Sequence, residues 1–153
     1  MSQEVGTAPQ QPRVDYRGTF GWPVQWDRGG LRLVTGSGVG AVVVPRRISD
    51  AVLASLARQG CDGPALTLPT RREMVTVLLV ETDDFAVAEA PLPEGVQVLP
   101  AGSTVPLPDE HNPNALARWR VQPDPRQRWL PSLAAVLATI AATGNLRHEL
   151  LVW

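Results

Sequence analysis

Val39-Gly40-Ala41-Val42-Val43-Val44-Pro45 is the stretch on which the fold turns. Apolar residues stand at odd and even positions alike, so a strand here has no polar face and must be covered on both sides. Pro45 ends it, because proline has no N–H to donate to a central ladder. Upstream, Thr35-Gly36-Ser37-Gly38 is a turn that joins this strand to a short apolar segment, Leu31 to Val34. Downstream, Val52, Leu53, Leu56 and Ala57 recur at helical spacing. Ser49 or Asp50 is the expected N-cap of that helix and Gly60 its C′ stop.

The same reading extends along the chain. Ala65 to Leu68 is a short strand stopped by Pro69, and Met74 to Val80 is a second buried strand in which Thr76 is the single polar residue. Gly95 to Leu99 and Thr104 to Leu107 flank the turn Pro100-Ala101-Gly102 and predict a hairpin. Ala117 to Val121, around Trp119, is a last strand. Pro131 suits a first helical turn, and Leu133, Val136, Leu137 and Ile140 form one stripe of a second helix before Gly144. With no internal repeat, this order predicts an α+β fold: a small mixed or antiparallel sheet with two helices. Residues 1–15 read as a disordered N-terminal tail, 16–145 as the domain and 146–153 as an apolar C-terminal tail.

Composition bounds the function. A chain of 153 residues fits one domain, and 44% hydrophobic with 19% charged residues is the balance of a folded, water-soluble protein. The 14 cations are all arginine and face 15 carboxylates, for a net charge of −1. No overall basic field exists to hold a phosphate backbone, so any nucleic-acid role must rest on a local patch. Lysine chemistry is excluded, while bidentate anion recognition by arginine is available. The single cysteine, Cys61, permits neither an internal disulfide nor a cysteine zinc site. Met1 to Pro12 holds no apolar segment of a secretory leader, and no run approaches the roughly 18 apolar residues of a membrane span. A cytoplasmic protein without membrane contact is expected.

Few residues read as chemistry. Gly36-Ser37-Gly38-Val39-Gly40 runs straight into a strand, whereas a dinucleotide fingerprint opens a helix. Asp109, Glu110 and His111 are adjacent in a proline-flanked loop, with His148 the only other histidine, and Cys61 has no evident activating base. Neither Asp83 nor Asp84 belongs to a recognisable constellation. No metal and no cofactor is expected. More informative are Arg46-Arg47 and Arg71-Arg72, each beside a buried strand. If those strands are neighbours, four guanidiniums meet at one end of the sheet and can hold an anion without metal.

Three fragments in order carry a resemblance. Leu33 to Val44, Thr67-Leu68-Pro69-Thr70-Arg71-Arg72-Glu73-Met74 with its following strand, and Gly95 to Pro108 resemble the first, second and third motifs of the primase-polymerase (prim-pol) domain of bacterial bifunctional DNA primase/polymerase proteins, of the archaeo-eukaryotic primase family. With Gly21-Trp22-Pro23-Val24 upstream and Trp119 downstream, the resemblance spans about residues 20 to 140. It implies a primase-polymerase-like core. It also implies metal-binding carboxylates at Pro45 and Arg47, a histidine at Met74 and a third acidic residue at Gln97. None of these residues is of the required type, and phosphoryl transfer in that family depends on carboxylate-held metal ions. The resemblance therefore implies a degenerate member without polymerase or primase activity.

Two functions follow as expectations. One is a non-catalytic prim-pol-like module with an interaction or regulatory role. A protein partner would be gripped by Leu150, Leu151 and Trp153 of the C-terminal tail, and by Trp22, Trp26 and the Trp119/Trp129 pair. The other is metal-independent binding of a nucleotide or single-stranded nucleic acid through Arg46, Arg47, Arg71 and Arg72 in the former substrate groove.

Overall fold

In the computed structural model the described residues are 15–27, 30–82, 92–109, 115–127 and 129–152, with the side chains of 144–152 left aside. The fold is α+β, with three helices and two antiparallel sheets. Helix α1 (Tyr16–Phe20) leads to strands β1 (Val24–Asp27), β2 (Gly30–Val34) and β3 (Val39–Pro45). Helix α2 (Arg46–Arg58) and strands β4 (Ala65–Pro69) and β5 (Met74–Glu81) follow. The chain closes with β6 (Gln97–Val98), β7 (Thr104–Pro106), β8 (Arg118–Val121) and α3 (Leu133–Val152).

The strand order is β6-β3-β5-β4-β8 in the larger sheet and β1-β2-β7 in the smaller. β3 and β5 are adjacent and central, in register from Val39 opposite Glu81 to Pro45 opposite Val75. Their alternate residues feed two cores, as the absence of a polar face requires. Val42, Val44, Leu78 and Val80 meet Ile48, Val52 and Leu56 of α2 and Leu133, Val136, Leu137 and Ile140 of α3. On the opposite face Ala41, Val77 and Leu79 meet Leu33 and Val105 of the smaller sheet, together with Tyr16 and Trp22. The molecule is thus a sandwich of helices, large sheet and small sheet.

Several local expectations change. The stretch after Pro100 makes no hairpin: β6 pairs with β3 and β7 with β2, in different sheets. Thr35 is the reason. Its backbone N–H donates to the Ser103 carbonyl (2.8 Å), its hydroxyl to the Pro100 carbonyl (2.8 Å), and its carbonyl accepts from Gly102 (2.8 Å). This pins the 100–103 turn onto the turn before β3 and sends the two flanking segments to separate sheets. That earlier turn does join β2 to β3, with positive φ at Gly36, Ser37 and Gly38 (117°, 52° and 89°), the region where glycine carries no steric penalty.

Helix α2 begins at Arg46, earlier than a Ser49 or Asp50 cap would set. Pro45 occupies the N-cap with no side-chain bond, and Glu73 Oε1 accepts from the Arg46 N–H at 2.8 Å. The cap comes from 27 residues away in sequence, and a carboxylate there also complements the helix dipole. Ser49 and Asp50 lie inside the helix; Asp50 pairs with Arg120 of β8. At the other end Gly60 follows the C-cap Gln59, where the C′ stop was expected. Helix α3 is capped by Ser132, whose Oγ accepts from the Ala135 N–H at 3.1 Å. It runs through Gly144 to Val152. The short α1 is a third helix beyond the two expected, capped by the Asp15 carboxylate on the Gly18 N–H (2.8 Å).

Candidate functional site

The register settles where the arginine pairs stand. Pro45 lies opposite Val75, so the start of α2 and the β4–β5 turn occupy the same end of the large sheet. Thr70-Arg71-Arg72-Glu73 forms that turn. The Thr70 N–H donates to the Glu73 carbonyl (2.8 Å), and the Thr70 hydroxyl accepts from the Glu73 N–H (3.1 Å) and the Arg72 N–H (3.3 Å). Threonine followed three residues later by glutamate is the spacing of a capping box. Here it closes a hairpin loop and leaves the Glu73 carboxylate to cap a distant helix. Arg71 and Arg72 are exposed at the tip, and Arg46 is exposed across Glu73 from them.

Arg47 is engaged differently. Its guanidinium donates to the Glu94 carbonyl, in the turn that leads into β6. The described ion pairs are Arg32 with Asp27 and Arg120 with Asp50, and neither arginine pair takes part in one. Set against the four arginines are Glu73 and Glu94, so this end of the sheet is locally cationic on a chain of net charge −1.

Beside this end, between the two sheets, lies a cavity of about 320 Å³. Val43, Val75 and Leu99 wall it, Thr70, Gln97 and Thr104 supply polar groups, and the exposed Leu116 completes it. Its position follows from strand length. β6 pairs beside β3 only at Val42 and Val43 in the large sheet, and β7 pairs beside β2 only from Arg32 to Val34 in the small one, so both ladders are short where the cavity lies. Sequence reading missed the cavity, Thr70, Glu73, Thr104 and Leu116; only the Thr-x-x-Glu spacing could have flagged two of them.

The four positions where the resemblance puts metal-site residues fall at this end of the sheet. Gln97 is the Cα partner of Val43 and lines the cavity, and Pro45 lies two residues beyond Val43 on the same face of β3. Met74 departs from that set. Alternation along β5 puts it on the face of Thr76 and Leu78, away from the cavity that Val75 and Val77 line. Pro45 has no side-chain donor atom, Arg47 is a cation, and Gln97 offers one neutral carbonyl oxygen. This set does not fit a divalent cation, which takes several oxygen ligands. Among the described residues no three His, Cys, Asp or Glu side chains gather into a metal-holding group.

The tryptophans divide. Trp22, expected on the surface, is 2% exposed: it stacks on Tyr16 at 4° between ring planes and on Phe20 at 26°. An amphipathic helix turn and a strand start fold it inward, and its Nε1 finds no partner. Trp119 tilts against Tyr16 and Trp22 and donates from Nε1 to the Tyr16 hydroxyl at 3.2 Å. Trp26 and Trp129 are exposed, at 58% and 52%. Leu150 and Leu151 are helical residues of α3, while Trp153, Glu110, His111, Asp83 and Asp84 lie outside the described residues. Among the described residues no helix is long and apolar enough to cross a membrane.

Comparison with protein-family models, with curated proteins and with solved structures gives no match for this chain.

Proposed function

We propose that the chain is a non-catalytic module of prim-pol-like ancestry that binds a nucleotide or single-stranded nucleic acid, without metal, at the arginine end of its large sheet. One observation carries this reading. β3 and β5 are neighbours in a register that brings Arg46-Arg47 and Arg71-Arg72 to one end of the sheet, beside an apolar cavity. Guanidinium groups suit phosphate through planar, paired donors. A cavity with apolar walls and a few polar groups suits an uncharged ring. The residues at the positions of the implied metal ligands favour binding over phosphoryl transfer, because they supply no carboxylate clamp.

The test is fluorescence anisotropy of labelled oligothymidylate titrated with the protein at two salt concentrations, with and without Mg²⁺. Binding that weakens with salt and is indifferent to Mg²⁺ is expected. Binding that requires Mg²⁺, or none in any condition, overturns the proposal.

A second reading, in which the module has an interaction or regulatory role toward a protein partner, is supported by the exposed indoles of Trp26 and Trp129, a residue type enriched at interface hot spots. It predicts a complex that survives substitution of the arginine pairs and weakens when either tryptophan becomes alanine.

A further inference from the structure

The four arginines are not equivalent. All four are exposed; Arg46, Arg71 and Arg72 make no described side-chain hydrogen bond or ion pair, whereas the Arg47 guanidinium donates through Nη2 to the Glu94 carbonyl. The next residue, Gly95, has φ +92°, and a methyl group placed on it would stand 3.2 Å from Pro45 Cγ and 3.6 Å from Arg47 Nη1. The Glu94–Gly95 turn is therefore held between the ring of Pro45 and the guanidinium of Arg47. Two residues on, Gln97 pairs with Val43 and lines the cavity. β6 has only two residues of ladder, so the turn before it contributes heavily to fixing where Gln97 sits.

Resting on the binding function proposed above, we propose that Pro45 and Arg47 form a clasp that sets Gln97, and that Gln97 is the specificity-determining contact for the uncharged ring of the ligand. Arg47 is then a positioning residue that never touches the phosphate. Arg71 and Arg72 hold the anion, and the carboxamide of Gln97, which both donates and accepts, meets the hydrogen-bonding edge of a nucleobase.

Salt dependence separates the roles. Removing an arginine that neutralises a phosphate lowers the slope of log K against log salt by about 0.7 for a single strand, whereas removing a positioning residue weakens binding and leaves the slope alone. Oligothymidylate titrations of Arg47→Ala and Gln97→Ala should each show affinity down roughly fivefold, the worth of one hydrogen bond, at the wild-type slope. The double variant should lose little more than either single one, because both substitutions abolish the same interaction with the base. Arg47→Lys, which keeps a donor for the Glu94 carbonyl, should recover part of the affinity and guards against a misfolded alanine variant. Hydrogen exchange should quicken at Val96 to Leu99 in Arg47→Ala and stay unchanged in Gln97→Ala. A reduced slope in Arg47→Ala, or additive effects in the double variant, overturns the clasp while the binding function stands. A wild-type protein that binds no oligonucleotide takes down both.

Discussion

The two faces of the large sheet use the same strands to different ends. On one, α2 and α3 lie over Val42, Val44, Leu78 and Val80, and Val52, Val136 and Ile140 are wholly buried. The helices also join each other directly through Gln59 Nε2, which donates to Thr139 Oγ1 at 3.1 Å. On the other face a shorter sheet and an aromatic cluster cover the middle of β3 and β5 but leave the Pro45 end open as a cavity. Closure against continuous helices gives stability, while coverage by strands of three to five residues leaves space for a ligand. One face holds the fold and the other presents the proposed site.

The sharpest way to break this contrast is to cut into each face in turn. Ile140→Ala, on the closed face at 0% exposure, should lower unfolding free energy by about 3 kcal/mol in a urea titration. Val75→Ala, half-buried on the cavity wall, should cost about 1 kcal/mol at the methylene scale. Equal changes would mean that the cavity end is packed as tightly as the helix face.

Next in size is Gly40, where β3 approaches the end of β5. A methyl group there would come within 2.3 Å of Thr82 Cγ2, so Gly40→Ala should destabilise by about 2 kcal/mol through overpacking. Adding Thr82→Ser removes the offending methyl, and most of the stability should return in the same titration. No recovery would locate the strain elsewhere in the strand.

The smallest effect belongs to the aromatic cluster on the open side. Trp22 is buried with its Nε1 unpartnered, and an orphaned donor forfeits about 1–3 kcal/mol of solvation. Trp22→Phe therefore trades ring area for relief of that donor and should shift stability by less than about 1 kcal/mol. A change as large as that at Ile140 would show that the ring's volume outweighs the unpaired N–H.

How much of this was legible in the sequence follows the same division. β3, β5 and the end of α2 were readable because their signals are local: a two-sided apolar run, a second one, and Gly60 after the helix. The partition of β6 and β7 between sheets was not, since it depends on Thr35 gripping a turn 65 residues away. The start of α2 was misplaced for a similar reason, its cap being a glutamate from another turn. Trp22 reads as a candidate anchor for a partner, and the stack formed with Tyr16 and Phe20 buries it instead. The arginine pairs were visible and their meeting was conditional on strand order, which the β3–β5 register supplies. The cavity had no sequence signal, because its walls come from five separate strands and three connecting segments.

The most direct test of the central claim is the salt dependence of oligothymidylate binding by Arg71→Ala/Arg72→Ala, set beside wild type in anisotropy titrations. The two arginines stand at the tip of a turn closed by Thr70 and Glu73, so their removal should leave the fold intact. The account predicts much weaker binding and a slope of log K against log salt reduced by about 0.7 for each phosphate no longer neutralised. Affinity and slope equal to wild type would show that the anion binds elsewhere or that the protein binds none.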